Sequence, residues 1–441
     1  MQKVRASIYT LGCKVNSYES EAIAERLREN EVEICDSCES VDICIINTCA
    51  VTSEAERKSR QIIRRMHTLS PNAYIIVTGC SAQADAERIL KITGVSAVCG
   101  NREKMKAAEL AVSYAKGLQN GNSDRESGVI CSCELNGAPF EKMFITSSER
   151  TRAVLKIEDG CESKCAYCII PSLRGKIRSK TPEDAISEAR VLAENGYREI
   201  VLTGIEVSAY GKDLGRRDGL ISLIEDLSHI KGIERIRLGS LDPSAISEDF
   251  VDRAARIPQF APHFHLSLQS GCNKTLFAMK RRYTVETVKK RIEYIRGTIP
   301  SATFTSDIIV GFPGETDEDF KNTREFLGEL DLLSFHIFAY SKRPGTPAAD
   351  MPGQVSPDIK SARLKSLESL RDEMTKRVLA PQIGKELEII VEEYKNGLGA
   401  VGHTASFMEV VIEDAPDSLH GKTVRAIAKR QENGVIFGSL I

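Results

Sequence analysis

The run Cys161-Glu-Ser-Lys-Cys165-Ala-Tyr167-Cys168 places three thiols in one short loop, directly after the apolar segment VLKIEDG. Thiolates at this CxxxCxxC spacing can hold three irons of a cubane cluster. The fourth iron is then left without a protein ligand, and an open position lets a small molecule bind the metal directly, as the vacancy of a catalytic zinc site does. A structural zinc site, the competing reading, wants a fourth ligand that this loop does not contain.

Cysteine also closes a series of apolar runs earlier in the chain. Residues 5 to 100 read as strand-loop-helix units: ASIYTLGC before SYESEAIAERLREN, VDICIINTCAV before SEAERKSRQIIRRM, and AYIIVTGC before SAQADAERILK. Such alternation predicts a small parallel α/β sheet, and open sheets bind ligands beyond the carboxyl ends of their strands. Cys13, Cys49 and Cys80 are therefore expected on one edge. A fourth unit, VSAVCGN, ends at Cys99, read as a packed thiol. Between about 116 and 148 periodicity fades into Gly, Asn, Ser and Asp, so 117–146 is read as a linker. From Val154 to about Tyr340 six more βα units follow, predicting an open (β/α)6 barrel whose active residues come just after the strands. A polar helix near 357–378 then leads to KELEIIVEE, GLGAVGHT, MEVVIED, KTVRAIAKR and VIFGSL, five short strands that predict an OB-like barrel. The expected domains are 1–116, 147–376 and 377–441, in an α/β fold overall.

At 441 residues the chain has room for two or three cores. Its formal net charge of -2 gives no global bias toward nucleic acid or membrane, and the final strand-rich segment carries more acidic than basic residues. Any RNA contact must come from local patches. No apolar run is long enough for a signal core or a membrane span, so a soluble, cytoplasmic protein is expected. In that compartment 13 cysteines argue for metal or thiolate chemistry rather than disulfides.

The CxxxCxxC loop, with Tyr167 before its last cysteine, resembles the signature of the radical S-adenosylmethionine (SAM) superfamily. Along its whole length the chain resembles the methylthiotransferases of that superfamily, through TLGCKVNSYES, NTCAVTSEAERKSR, TGCSAQ and DGCESKCAYCIIPSLRGKIRS, with a TRAM-type C-terminal barrel. The resemblance implies two [4Fe-4S] clusters, one on Cys161, Cys165 and Cys168, and an auxiliary one on Cys13, Cys49 and Cys80. It also implies SAM as both methyl donor and source of a 5'-deoxyadenosyl radical, which removes hydrogen from C2 of an adenine before methylsulfur adds there. The Lys-Val-Asn-Ser-Tyr-Glu-Ser run after Cys13 looks like the branch acting on N6-threonylcarbamoyladenosine at position 37 of tRNA. Isopentenyladenosine in tRNA and a ribosomal-protein aspartate are the alternative substrates of the same chemistry. A zinc-containing RNA-binding protein is the non-enzymatic alternative. An electron donor such as flavodoxin or ferredoxin and a sulfur source are implied as partners.

Further candidates lie at strand ends. Gly204 and Glu206 in TGIEVSAYG, Ser240 in LGSLDP, Gln269 in LSLQSG and the segment from Asp307 to Thr316 fall where the barrel places its active face. With Tyr167 they are the expected SAM neighbours; tight turns and ordinary capping are the competing explanation. Asn16 is read either as a substrate contact or as a turn and cap residue. Two basic runs, Arg174-Gly-Lys176-Ile-Arg178-Ser-Lys180 and Lys280-Arg281-Arg282, are expected to face RNA or cofactor. Cys35, Cys38, Cys44, Cys131, Cys133 and Cys272 are read as packed or surface thiols.

Overall fold

The computed structural model describes residues 3–122, 126–131, 135, 137, 139–413 and 415–441. Six strands, β1 (Arg5–Thr10), β2 (Glu33–Ile34), β3 (Ile43–Thr48), β4 (Tyr74–Gly79), β5 (Val95–Cys99) and β6 (Val129–Cys131), form a parallel sheet in the order β2-β1-β3-β4-β5-β6. β3 and β4 are buried at every residue, as their unbroken apolar runs require of a sheet covered on both faces. Alternate side chains divide accordingly. Ile43, Ile45 and Ile76 pack with Ile23, Leu27 and the alanines of helix Lys104–Gln119, whereas Ile46, Ile75 and Val77 pack with Ile62, Ile63 and Met66 of helix Ser53–Leu69.

Described parts of the stretch read as a linker belong to the domains on either side of it. Helix Lys104–Gln119 runs past its expected start, β6 adds an edge strand to β5, and Met143 and Ile145 are buried in the core of the next domain. The tertiary contacts of these short pieces override their turn-like composition.

The second domain opens with β7 (Ala153–Lys156) and a short antiparallel pair, β8 (Glu158–Asp159) and β9 (Arg178–Ser179). β10 (Glu199–Thr203) pairs in parallel with β7 and with β11 (Arg235–Leu238). After Gly239 the wall continues as β12 (Ser240–Leu241), β13 (His263–Gln269), β14 (Thr303–Val310) and β15 (Ser334–Ala339), each parallel to the last. β11 and β12 make up one interrupted stave, so the wall has six staves and stays open between β7 and β15. Its helices begin at the expected devices: Thr181 caps with Pro182 behind it, and Thr316 and Asp319 form a reciprocal capping box. Helix Lys14–Arg28 leans on this barrel, and Tyr18 and Ala22 enter its core.

Helix Pro357–Leu379 leads to β16 (Glu386–Lys395), β17 (Gly399–Thr404), β18 (Glu409–Ile412), β19 (Thr423–Glu432) and β20 (Val435–Leu440). These close into a barrel in the order β16-β17-β18-β20-β19. Among the described residues no helix is long and apolar enough to cross a membrane.

Candidate active site

The CxxxCxxC loop leaves β8 at Gly160 and returns to β9 through the short helix Ile170–Arg174. Its two ends are clasped: the Cys161 amide donates to the Gly175 carbonyl at 3.0 Å. Gly160 has φ +93, and a Cβ there would lie 2.1 Å from the Lys176 carbonyl oxygen, so this corner admits only glycine. The Ser163 amide points at Cys161 Sγ (3.4 Å), and Arg281 Nη1 points at Cys165 Sγ (3.3 Å). Burial pushes the Cys161 thiol up to about 11 and the Cys168 thiol up to about 12. A metal ligand, like a nucleophile, acts as the thiolate, so these thiols give up their protons when metal binds. Soft donors receiving N–H bonds on sulfur fit an iron-sulfur cluster.

Cys13, Cys49 and Cys80 follow β1, β3 and β4, three adjacent strands, and the sheet brings them to one edge. Gly12 marks how closely they gather, since a Cβ on it would lie 3.1 Å from Cys49 Cβ and 3.3 Å from Cys49 Sγ. Burial raises the Cys13 thiol, with the charge of nearby Cys80 adding to the effect; burial likewise lifts Cys49 to about 11, with Cys80 and Cys13 adding to it. Asn101, after β5, donates one side-chain N–H to Cys80 Sγ (3.5 Å) and another to the Leu173 carbonyl (3.0 Å). Ala50 and Cys80 pack directly on Leu173, so the second triad faces the helix that follows Cys168. All described cysteines are free thiols, and among the described residues no three His, Cys, Asp or Glu side chains close on a single metal ion. A cubane spreads its three thiolates over three irons.

Between the triads lies a cluster of buried charges. Arg174 Nη1 donates to Glu19 Oε1 (2.8 Å) and Asp159 Oδ1 (3.0 Å), and its Nη2 donates to Asn16 Oδ1 (2.8 Å). Lys104 and Lys156 reach the same Glu19 at 2.9 and 2.8 Å, and Lys156 also holds Asp159 at 2.8 Å. Burial alone would raise the Glu19 carboxyl, but Arg174, Lys104 and Lys156 outweigh it and hold it well below the usual range. Burial opposes ionisation of Asp159 too, yet Lys156 and Arg174 keep it at about 2. Both acids are therefore ionised, as buried carboxylates with several cationic donors should be.

This cluster corrects part of the RNA-facing expectation. Arg174 is wholly buried, Arg178 is buried against Asp159, and Lys180 is buried against Glu188; none of the three reaches a surface that RNA could touch. Their charges are spent on buried carboxylates that sequence spacing does not reveal. Asn16 is also buried, donating to the Leu11 and Thr48 carbonyls, and it braces the Cys13 loop rather than facing substrate. It does not cap the helix, whose N-cap position is Cys13. Arg281 is turned inward onto Cys165, Asp242 and the Ser267 carbonyl, while Arg282 is exposed.

A cavity of about 1060 Å³ runs through the open barrel, with Cys13, Lys14, Gly204, Arg237, Ser240 and Phe407 in its wall. Gly204 sits where a Cβ would come 2.5 Å from Glu158 Oε2, a carboxyl raised well above its usual range by burial and bonded to the Glu206 amide at 2.7 Å. Glu206 itself is raised by burial and accepts a bond from Ser208. Gln269 closes β13 at φ +68, a left-handed turn on a non-glycine residue of the kind that gathers at functional sites. Tyr167 is half-buried, packed with Ala166 and Phe312. Burial and the guanidiniums of Arg152, Arg237 and Arg150 pull the Lys14 ammonium down to about 8, which leaves it charged at neutral pH.

Of the remaining thiols, Cys44, Cys99 and Cys272 are buried, and Cys272 points at Asp319 Oδ1 (3.6 Å). Cys35, Cys38 and Cys131 are half-buried, and Cys133 lies outside the described residues. Sequence reasoning passed over Glu19, Lys104, Lys156 and Asn101. A buried acid in mid-helix carries no motif, although Asn101 follows a strand end as the cysteines do.

Residues 155–327 match the model of the Radical SAM superfamily, and residues 5–100 match Uncharacterized protein family UPF0004. The chain is 38% identical over 424 residues to the threonylcarbamoyladenosine tRNA methylthiotransferase MtaB of Bacillus subtilis (strain 168), covering 95% of this chain and 92% of that one. The chain belongs to the radical SAM tRNA methylthiotransferases. This methylthiotransferase is also 36% identical to the tRNA-2-methylthio-N(6)-dimethylallyladenosine synthase of Pelotomaculum thermopropionicum, covering 96% of this chain and 94% of that one. Its fold resembles that of the radical SAM methyltransferase TsrM from Kitasatospora setae, with a TM-score of 0.57 and 14% identity over 78% of this chain and 75% of the other. As a radical SAM enzyme the methylthiotransferase uses SAM and a [4Fe-4S] cluster.

Proposed function

We propose that the enzyme adds a methylthio group to C2 of N6-threonylcarbamoyladenosine at position 37 of tRNA. In this reading Cys161, Cys165 and Cys168 hold the radical SAM cluster, and Cys13, Cys49 and Cys80 hold a second [4Fe-4S] cluster. The observation that carries it is the joining of the two triads by one buried charge cluster, with Asn16 and Glu19 following Cys13, and Asp159 and Arg174 bracketing the CxxxCxxC loop. When bound, the clusters and SAM supply the electron, the radical and the sulfur that a non-acidic aromatic C–H bond demands. The chain's own part is to hold those groups in fixed relation and to keep water from the radical. Gly204, Glu206, Ser240, Gln269 and Tyr167 are assigned to SAM, and exposed Arg282 to the RNA backbone. The position-37 base is single-stranded and enters the cavity splayed from its stack. Flavodoxin or ferredoxin as reductant, a separate sulfur source and a cytoplasmic location complete the proposal.

Relatives named for the threonylcarbamoyl substrate, and the cations in the cavity wall, support this substrate over the isopentenyl one. Nucleoside mass spectrometry of tRNA with and without the gene tests it directly: loss of 2-methylthio-N6-threonylcarbamoyladenosine is expected, and loss of the isopentenyl product instead would replace the reading. In the purified enzyme Cys161→Ala should abolish 5'-deoxyadenosine formation, while Cys49→Ala should keep SAM cleavage and lose methylthiolation. Methylthiolation surviving in either variant would refute the two-cluster assignment, which also expects about eight irons per reconstituted chain.

A further inference from the structure

The cavity wall carries more positive charge than its own acids neutralise. Of the lining cations, Arg237 is paired with Glu199 (2.5 Å) and Arg371 with Asp372 (3.2 Å), and nearby Arg152 is held by Glu392 (2.9 Å). Lys14 and Arg150 also line the cavity, yet neither side chain has a hydrogen-bond or ion-pair partner among the described residues. Lys14 is the first residue of the fifteen-residue helix Lys14–Arg28, whose first turn has no acidic side chain and whose N-cap makes no side-chain bond. The positive end of a helix and an exposed, unpaired ammonium thus meet at the cavity wall, where an anion is welcome. The pocket is roomy enough for a nucleoside with a long substituent.

Lys14 directly follows Cys13, so any anion it binds lies beside the proposed sulfur-delivering site. A backbone phosphate stays with the ribose chain when a base is splayed, whereas a substituent on the base travels into the pocket with it. We propose that Lys14, assisted by Arg150, binds the carboxylate of the threonylcarbamoyl arm and thereby selects this acidic nucleoside over neutral N6-substituted adenosines. This rests on the substrate reading above. Nearby Arg237 and Arg152 contribute field rather than contacts, because their guanidiniums are already held by carboxylates and carbonyls.

The test uses anticodon stem-loops bearing the threonylcarbamoyl group at position 37 either as the free acid or as its neutral methyl amide. Affinity is read by fluorescence anisotropy on the full-length protein, and kcat/KM by mass spectrometry of the methylthiolated nucleoside. Wild-type enzyme should prefer the acid by on the order of a hundredfold, the usual value of a desolvated charge-assisted contact. Lys14→Gln should cut that preference to below about tenfold by weakening the acid alone, and Lys14→Arg should restore most of it. Arg150→Gln, at the exposed mouth of the cavity, should lower the preference by about threefold and gives an independent reading if Lys14→Gln folds poorly. An unchanged acid-to-amide ratio in Lys14→Gln and Arg150→Gln overturns the proposal. Equal loss on both substrates, with a raised KM for SAM or less iron per chain, also overturns it, because Lys14 would then serve SAM or the cluster. A wild-type enzyme that ignores the acid but modifies an isopentenyl stem-loop removes the substrate reading and this inference together.

Discussion

Cys161, Cys165 and Cys168 belong to one loop pinched shut between Gly160 and Gly175, while Cys13, Cys49 and Cys80 are carried in from three separate strand ends. The first triad needs only β8, β9 and the backbone clasp between them. The second needs the whole parallel sheet, plus Asn101 from a fourth strand end. A local site is robust to distant change, whereas an assembled one inherits every weakness of the fold that assembles it. The two are kept in register by Glu19, which takes charge from three cations drawn from three parts of the chain.

That dependence is broken most severely at Glu19. Glu19→Gln leaves Arg174 and Lys156 buried against Asp159 and Lys104 buried against the Asn47 amide oxygen, and removing one member of a buried ionic network costs about 3–5 kcal/mol. A urea midpoint well below that of the wild type is expected. The product formed per 5'-deoxyadenosine should fall further than SAM cleavage itself. Equal falls in the two activities would mean that the triads are not held together through this cluster.

Acid should undo the same cluster without a mutation. Asp159 titrates at about 2 in the fold and higher when unfolded, so the native state binds fewer protons and the stabilisation is fully present above the ordinary carboxylate range. It is lost as pH falls from about 5 toward 2, by about 2 kcal/mol from this residue, with Glu19 acting in the same direction. Glu158, one residue away, works the opposite way. Burial, with the charges of Asp159 and Glu206 adding to it, raises it well above its usual range, so its contribution is lost as pH rises above about 4. Glu158→Gln should therefore stabilise the protein at pH 7 and leave the acid limb in place, as measured by urea midpoints across pH.

Much of this was legible in the residues. The alternation of strands and helices, the cysteine at each strand end and the five closing strands all predict their structures, because periodicity and strand-end placement are local signals. What the residues hid is the fate of the charges. RGKIRSK reads as a basic surface run, yet Arg174, Arg178 and Lys180 are buried, because their partners Glu19, Asp159 and Glu188 come from segments that spacing alone does not bring together. The segment before β7 was hidden for a related reason: a three-residue edge strand has too little pattern to stand out, and pairing with β5 supplies its stability.

Gly204 sharpens the contrast at smaller scale. It looks like a turn glycine, but its φ is ordinary, and what requires glycine is the Glu158 carboxyl lying where a Cβ would go. Gly204→Ala should leave the fold intact and displace Glu158 and the Glu206 amide it holds. A rise of about tenfold in KM for SAM is expected, with less effect on kcat, since a misplaced binding group weakens ground state and transition state alike.

The smallest effect is expected at Asn101, where the assembled triad leans on a single amide. Asn101→Ala removes one N–H bond to Cys80 Sγ and one to the Leu173 carbonyl, together worth about 1–2 kcal/mol when the partners stay buried. An N–H donor favours the thiolate, so its loss should weaken the proposed auxiliary site while the CxxxCxxC loop keeps its own donors. Iron retention during chelator challenge separates the two: the variant should release about half its iron sooner than the wild type and the other half at the same rate. Uniform release would show that the amide serves the interface rather than the sulfur.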